Sequence, residues 1–438
     1  MDPLPLGILS IAAILLLLGL GVHVALALGL VGFLGFVFVT GSVKTALGIL
    51  TTTPYSTTAS FSLTIIPLFI LMGSFAIHGR MAQGVYDAAI KWLGRIPGSL
   101  GIATTIANAA FGAVCGSAVA AAALFTKLSI PEMKRAGYDV RFSAALIASA
   151  GLLSILIPPS LYAVIVGVLT ELPISALLIA GVVPGVILTA AYSVTIYTIA
   201  KTRPDIAPTT PISATRKEKA LSLLSTWQVA VLAVIVLGGI YSGVFTATEA
   251  AAVGSLATLA LVLITRTITR KGFVESLSDA VRTTAMLFLI LIGATVYSRF
   301  LAVSGVSQGF LEAILALNWS PLALMSAFAF MYLVLGMFID SISIFTLTLP
   351  ILFPIIKTSG IDPMWFGMMV IFAVNLGLLT PPFGLNVYTV KAVITEDITL
   401  EDIFRYTMPF FISGVMVLAL LLLFPVLSTW LPGAMLKR

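Results

Sequence analysis

The chain has 438 residues, of which 60% are hydrophobic and only 9% are charged, whereas soluble domains contain about 25% charged residues. This composition excludes an ordinary soluble domain, and recurring apolar runs of about 18 residues or more predict an all-α polytopic membrane protein. The single cysteine, Cys115, excludes a disulfide framework. The net charge of +6 indicates membrane topology rather than nucleic-acid binding, because the basic residues lie at the ends of the apolar runs.

In chain order, the apolar runs predict five regions. The N-terminus carries Asp2 and no early basic residue, so it is interpreted as a first span and not as a cleaved signal peptide. The predicted regions are N-terminal scaffold helices at 1–77, a first repeat at 78–200, a cytoplasmic linker at 201–225, further scaffold helices at 226–303 and a second repeat at 304–438.

Each predicted repeat contains a helical hairpin followed by a broken helix. The hairpins are expected at about 99–130 and 321–356, because each run has a small-polar interruption, CGS in the first and DSIS in the second. The broken helices are expected at about 141–170 and 363–395, which contain Pro158-Pro159 and, 223 positions later, Pro381-Pro382. Proline lacks the backbone N–H that a helix interior needs, so each pair should interrupt its helix.

Charge predicts that the two repeats are inverted in the membrane. Eighteen of the 23 basic residues fall in five clusters, near 80–95, 127–141, 201–219, 266–282 and 391–405. Placing all five inside requires both hairpins to be re-entrant, from opposite faces. Both termini then lie outside. The terminal Lys437 and Arg438 disagree with this placement of the C-terminus, because basic residues favour the inside. Inverted repeats with broken helices are typical of secondary transporters, whose site lies where the breaks meet.

The residue types at the breaks suit a small cation and an anion. Freed carbonyls and hydroxyls suit Na⁺, and the N-terminal ends of half-helices suit a carboxylate. A proton carrier using Asp340 is the alternative, but the first constellation, formed by Gly116, Ser117 and the break at 157–160, contains no carboxylate. The predicted sodium ligands are Gly116, Ser117, Ile157, Pro158, Pro159, Asp340, Ser341, Ser343, Leu379, Thr380 and Pro381, and the predicted substrate contacts are Ser117, Ser160, Ser341, Asn375, Thr380 and Asn386.

Several of these residues also have a structural interpretation. Gly116 and Ser117 could serve only close helix packing. Arg299 could meet a substrate carboxylate or extend to the membrane interface. Glu249 is explained as a first-turn acid beside an N-cap at Thr246 or Thr248. No nucleophile–base pair or transition-metal ligand set is apparent, so no enzyme is expected.

Five motifs in order give the chain its resemblance to a known family: GSAVAAAALFTKLSIPEMKRAGYD at 116–139, GLLSILIPPS at 151–160, YSGVFTATEAAAVG at 241–254, GMFIDSISIFTLTLPILFPI at 336–355 and NLGLLTPPFGLN at 375–386. The chain resembles the large, DctM-like membrane subunit of tripartite ATP-independent periplasmic (TRAP) transporters over its whole length. Ala247 stands where the family has proline, a departure that concerns a turn and not the predicted site.

The resemblance implies a Na⁺-coupled importer of an organic acid, such as a C4-dicarboxylate, a sialic acid or a keto acid, without an organic cofactor. It also implies a small four-helix (Q-type) membrane subunit, a periplasmic (P-type) substrate-binding protein, the bacterial inner membrane, and the elevator-type architecture of the ion transporter superfamily. By position it assigns one main sodium site to Ser117 with the first proline break and the other to Asp340 and Ser341 with the second. Two alternatives stay open: a stand-alone sodium- or proton-coupled carboxylate carrier, and a non-transporting membrane scaffold.

Overall fold

A computed structural model describes residues 3–94, 96–209 and 214–435. Within these ranges every regular element is a helix, as the composition predicts. Asp2, the basic Arg95, residues 210–213 of the linker, and the terminal Lys437 and Arg438 lie outside the described residues.

The helices of the first half follow the predicted segments. They are α1 Pro3–Gly19, α2 Val24–Thr40, α3 Val43–Thr58, α4 Ile65–His78 (after a 3-10 turn at Phe61–Thr64), α5 Met81–Leu93, α6 Ser99–Cys115, α7 Ala118–Arg135, α8 Val140–Ala150, α9 Leu153–Leu156, α10 Leu161–Thr170, α11 Ile174–Ala180 and α12 Val182–Thr202.

The second half begins with a short helix inside the predicted linker. The helices are α13 Arg216–Leu224, α14 Trp227–Ala233, α15 Gly239–Tyr241 (after a π turn at Val234–Gly238), α16 Ala247–Ile264, α17 Arg270–Val303, α18 Val306–Leu315, α19 Pro321–Phe338, α20 Ser341–Thr358, α21 Pro363–Gly377, α22 Leu385–Val393, α23 Leu400–Leu423 and α24 Val426–Met435. Seven helices of the described chain are long and apolar enough to cross a membrane, or up to nine if each bent pair counts as one span.

Side-chain caps explain several helix starts. Thr246 accepts a hydrogen bond from the Glu249 N–H (3.2 Å), and the Glu249 carboxylate accepts one from the Thr246 N–H (2.8 Å). This capping box satisfies donors that a helix N-terminus leaves free. It confirms the structural interpretation of Glu249, with Thr246 and not Thr248 as the cap.

The four predicted interruptions are present. The run 99–130 divides into α6 and α7 at Gly116 and Ser117, and 321–356 divides into α19 and α20 at Ile339 and Asp340. The first proline pair separates Val140–Leu156 from Leu161–Thr170, which are bent by 46°. The second lies between the end of α21 and the start of α22, so 363–395 is not one continuous helix. Both proline pairs are joined by cis peptide bonds.

Helices α2, α4, α16 and α17 pack together, with α17 lying against α2 and α4, and α16 against α4. The backbones of α2 and α17 approach so closely at Gly293 that a Cβ there would lie 2.3 Å from the Ala25 carbonyl oxygen. Glycine is required at this crossing because any side chain would force the two helices apart.

The two halves exchange contacts reciprocally. Helix α10, which follows the first proline pair, packs against α20 of the second half, and the rings of Tyr162 and Phe345 meet there at 5.4 Å between centroids. Helix α22, which follows the second proline pair, packs against α7 and α8 of the first half. The Asn386 amide donates to the Ala148 carbonyl oxygen at 3.2 Å. Each broken helix therefore contacts the other half of the chain.

Candidate functional site

The tip between α6 and α7 lies directly against the first proline pair. Gly116 has a left-handed backbone (φ 64°), and a Cβ on it would lie 2.6 Å from the Pro159 carbonyl oxygen. Ser117 caps α7, its hydroxyl accepting from the Ala120 N–H at 3.4 Å. The structure thus brings together Gly116, Ser117 and Pro159, which the sequence predicts as sodium ligands.

The first proline break has backbone oxygens without donors. Within the described part of the chain, no group donates a hydrogen bond to the carbonyls of Ile157, Pro158 or Pro159. Ser160 is buried and caps α10, because its hydroxyl accepts from the Ala163 N–H at 3.2 Å. Ile157 is partly buried and Pro158 and Pro159 are buried. Carbonyls without donors are costly in a protein interior, so these three oxygens are suited to receive a cation or water.

A cavity of about 270 Å³ adjoins this tip. One wall is formed by Gly116, Ser117 and Pro159, and the other by residues of α4 and α17. Gly73 of α4 permits the contact, since a Cβ there would lie 2.7 Å from the Cys115 carbonyl oxygen. The cavity therefore lies between the hairpin tip and the helices predicted as scaffold.

Helix α17 adds charged groups to the cavity that the site prediction does not include. Asp279, Arg282 and Thr283 line it. Within the described residues, neither Asp279 nor Arg282 forms an ion pair. The sequence places Arg282 in a basic cluster that sets topology. Arg282 is the last charge before the long apolar stretch 283–298 of α17, and this position at the edge of the apolar part is the signal that could have identified it.

The tip between α19 and α20 is built around a carboxylate. Asp340 caps α20: one oxygen accepts from the N–H groups of Ile342 (3.1 Å) and Ser343 (3.0 Å), and the other accepts from the Ser343 hydroxyl. Asp340 is exposed at the tip, whereas Ser341 and Ser343 are buried. A carboxylate has about four acceptor positions, so this one retains capacity for a cation.

The Ser341 hydroxyl is buried, and among the described residues no partner lies within 3.5 Å in hydrogen-bond geometry. Tyr162 of α10 faces it across the contact between the two halves. The sequence prediction includes Ser341 but not Tyr162, which is 179 positions away. Only the packing of α10 on α20 brings these two hydroxyls together.

The second proline break is more fully hydrogen-bonded than the first. The Thr380 hydroxyl donates to the Gly377 carbonyl oxygen (2.7 Å), and the Thr380 carbonyl accepts from the Gly384 N–H (3.1 Å). The Leu379 carbonyl accepts a long hydrogen bond from the Thr407 hydroxyl (3.4 Å). In the described chain, the carbonyls of Leu378 and Pro381 receive no donor.

The hairpin and the second break are joined through residues outside the predicted set. The Phe383 N–H donates to the Met337 carbonyl oxygen at 3.2 Å, which ties the break to the last turn of α19. The described contacts place Ser341 beside α10 and Thr380 against its own helix end. Among the described residues, no hydrogen bond joins Asp340 or Ser341 to Thr380 or Pro381, whereas Gly116 lies directly against Pro159 at the first break.

The predicted asparagines are both buried, in different surroundings. Asn375 lies in α21, and neither end of its amide has a hydrogen-bond partner within the described residues. Asn386 lies on α22 against the first half, with its amide oxygen unpaired. The sequence prediction omits Asn108, whose side-chain oxygen accepts from the Ser154 hydroxyl at 2.9 Å just before the first break.

The remaining candidate is Arg299, which contacts another helix. Its guanidinium donates to the Thr53 hydroxyl of α3 at 3.1 Å. This contact lies between α3 and α17, and Arg299 does not line the cavity at the first hairpin tip.

The fold is shared with a solved transporter. The crystal structure of the Alcanivorax borkumensis YdaH transporter matches with a TM-score of 0.65 at 14% sequence identity, covering 89% of this chain and 90% of that one. Together with the apolar helices and their interruptions, this likeness places the chain among polytopic helical membrane proteins of transporter fold.

The sequence comparisons identify the family. The tripartite ATP-independent periplasmic transporter DctM component matches residues 11–427. The large permease protein SiaM of a sialic acid TRAP transporter, from Vibrio cholerae, is 36% identical over 85% of this chain and 86% of its own length. The large permease protein DctM of a C4-dicarboxylate TRAP transporter, from Pseudomonas aeruginosa, is 33% identical over 86% of each. The chain belongs to the DctM family of TRAP transporter large permease subunits, and the predicted resemblance is confirmed.

Proposed function

We propose that this permease subunit carries an organic acid across the membrane, driven by the entry of Na⁺. The observation that carries the proposal is the reciprocal packing of the two broken helices on the two hairpins. Such an exchange is the arrangement expected if the halves are inverted repeats related by a two-fold axis in the membrane plane. Unpaired oxygens at both breaks supply the ligands that a dehydrated cation needs.

Sodium binding is assigned to the predicted residues at the two breaks. At the first, the ligands are neutral: the carbonyls of Ile157, Pro158 and Pro159, with Ser117 nearby. At the second, Asp340, Ser341 and Ser343 join the backbone of Leu379, Thr380 and Pro381. Hard cations prefer such oxygen ligands. None of these assigned first-site ligands is a carboxylate, so none of them offers a proton acceptor in place of a sodium ligand.

The substrate is assigned to the cavity at the first tip. A carboxylate in this cavity would meet the Arg282 guanidinium on one side and Ser117 with the α7 N-terminus on the other, and would have to bind away from the Asp279 carboxylate in the same lining. Charge-assisted hydrogen bonds to a guanidinium are among the strongest polar contacts in proteins. The relatives' names include sialic acid and C4-dicarboxylates, which supports an acid as the transported class.

The partners and the movement follow from the family. We assign a periplasmic substrate-binding protein that delivers the acid, a small four-helix membrane subunit and the bacterial inner membrane. In the elevator mechanism, α2, α4, α16 and α17 would stay fixed while the hairpins and broken helices move together. The position of the cavity between these two groups supports that division.

The test is uptake of a radiolabelled acid into proteoliposomes that contain the permease, its small subunit and the binding protein. Uptake should require an inward Na⁺ gradient and should not be supported by a proton gradient alone. Uptake that continues without the binding protein would favour the stand-alone carrier. The variants S117A and D340A should each reduce uptake at least tenfold, and full activity in both would contradict the site assignment.

A further inference from the structure

A second cavity, of about 380 Å³, lies between α12 and α23, and no residue of either proline break lines it. Its polar lining includes two arginines, Arg203 just after α12 and Arg405 in the second turn of α23. Its apolar lining consists of Phe142, Ile199, Ile206 and Pro409. The cavity is therefore cationic in one part and hydrophobic in the other.

The two arginines have no carboxylate partner within the described chain, although acids lie close in sequence. Asp139 forms an ion pair with Arg141, whose guanidinium donates two hydrogen bonds to the Asp139 carboxylate at 3.1 and 2.7 Å. Asp402 is committed to the N-cap Thr399 through contacts of 3.2 and 2.8 Å. Asp205 and Glu401 form no ion pair. Two exposed guanidinium groups without a carboxylate partner therefore lie beside an apolar wall.

The position indicates where that ligand comes from. Arg203 follows the last residue of one candidate span, Ile174–Thr202, and Arg405 lies near the start of another, Leu400–Leu423. Both groups therefore lie where spanning helices reach the membrane surface. The positive-inside rule assigns these basic ends to the cytoplasmic leaflet, where anionic lipids concentrate.

We propose that this cavity binds an anionic phospholipid, with the phosphodiester on Arg203 and Arg405 and an acyl chain against Ile199 and Phe142. The guanidinium matches phosphate oxygens in pairs, which an ammonium group cannot do. Free phosphate would satisfy the arginines but not the apolar wall, so the lipid fits the whole lining. Basic pockets between spanning helices are a known form of lipid headgroup site.

The occupant would stabilise a contact between the two halves of the chain. Helices α12 and α23 touch one turn deeper, where the hydroxyls of Thr195 and Ser413 are 2.6 Å apart. The rings of Tyr192 and Phe410 also meet there at 5.4 Å between centroids. A lipid that bridges Arg203 and Arg405 would hold these helix ends together, so anionic lipid should raise the thermal stability of the protein.

The experiment measures lipid binding to the full-length chain in detergent micelles by native mass spectrometry. The probes are phosphatidylglycerol and phosphatidylcholine with identical acyl chains, and inorganic phosphate as competitor. R203Q/R405Q should weaken phosphatidylglycerol binding about twenty-five-fold, since each of the two basic contacts contributes about a factor of five. Binding of phosphatidylcholine should not change.

The control is R216Q/R270Q, which removes the same charge at the starts of α13 and α17. It should leave phosphatidylglycerol binding within twofold. Equal losses in both pairs, equal binding of the two lipids by the natural chain, or displacement of the lipid by equimolar phosphate would each overturn the proposal. If R203Q/R405Q does not fold, the cavity-filling variant I199W tests the proposal instead. It should exclude the lipid without altering the charge of the cavity. Unchanged phosphatidylglycerol binding in I199W would overturn the proposed site.

Discussion

The two proline breaks have the same order of elements but satisfy their backbone in different ways. At the first, serines cap the helices that follow and three carbonyls are left without donors. At the second, a carboxylate caps α20, and the carbonyls of Leu379 and Thr380 already accept hydrogen bonds. Gly116 closes the first against Pro159, whereas Phe383 joins the second to Met337.

The two halves therefore share the order of their elements but differ in which groups at the break can bind a ligand. The first break offers neutral oxygens and adjoins a cavity with an unpaired arginine. The second offers a carboxylate that also holds its helix start. We therefore expect the two sites to respond differently to the loss of charge, and the following changes test that expectation.

Gly116→Ala should have the largest effect. It adds left-handed strain of about 1–2 kcal/mol and a Cβ placed 2.6 Å from the Pro159 oxygen, so the tip must move from the break. Sodium-driven uptake in proteoliposomes should fall at least about a hundredfold. The control is Gly41→Ala, which has the same backbone (φ 65°) but open space around the Cβ. An equal loss in both would show that strain, and not the Gly116–Pro159 contact, matters.

The interruptions were predictable because their causes are local. Proline lacks a backbone N–H in any surroundings. Gly116 supplies the left-handed turn that ends α6, and Ser117 supplies the cap that begins α7. Helix α13 could also have been found, since Thr215 and Glu218 form a capping box, a pattern visible in the sequence. Its basic composition instead favoured a solvated linker.

The cavity could not be predicted because its two walls are far apart in the chain. Arg282 follows Ser117 by 165 positions, and only the packing of α4 and α17 against the hairpin brings them together. The same holds for Tyr162 and Ser341. Single-sequence patterns report the period and interruption of a helix, not which face another helix covers.

Arg282→Gln should weaken the binding of the substrate about ten- to a hundredfold, because a hydrogen bond between charged groups contributes about 1.5–3 kcal/mol. The loss should appear in the KM for the acid, with a smaller change in kcat. Arg270→Gln at the start of the same helix is the control and should keep the natural KM. An unchanged KM in Arg282→Gln would contradict the assignment of the substrate to the cavity at the first break.

Asp340→Asn separates the two roles of the second carboxylate. Asparagine caps helices about as well as aspartate, so the melting temperature should stay within a few degrees. If the charge binds sodium, the Na⁺ concentration for half-maximal uptake should rise about tenfold. Ser117→Ala is the companion at the first break, where no charge is lost. If the Na⁺ dependence of uptake is unchanged in Asp340→Asn, the carboxylate of Asp340 serves only as a helix cap.

The smallest expected effect concerns a contact that only one half possesses. Lys134 at the end of α7 donates to Glu396 after α22 at 2.9 Å, whereas Lys357 at the end of α20 lies over the Phe353 ring at 4.9 Å. The hydrogen bond from Lys134 holds the pKa of Glu396 below its ordinary value. The pair therefore adds stability above the unfolded-state pKa of about 4.3, and loses it as pH falls through the lower folded value.

Glu396→Gln should lower the free energy of unfolding by about 0.2–1 kcal/mol at pH 7, the range for partly exposed ion pairs. The difference from the natural chain should stay constant between pH 7 and about 5 and shrink below about 4.3. Thermal unfolding in detergent measures it. Lys357→Gln is the matched control, and because Lys357 forms no ion pair within the described residues, its effect should not follow the same acid profile.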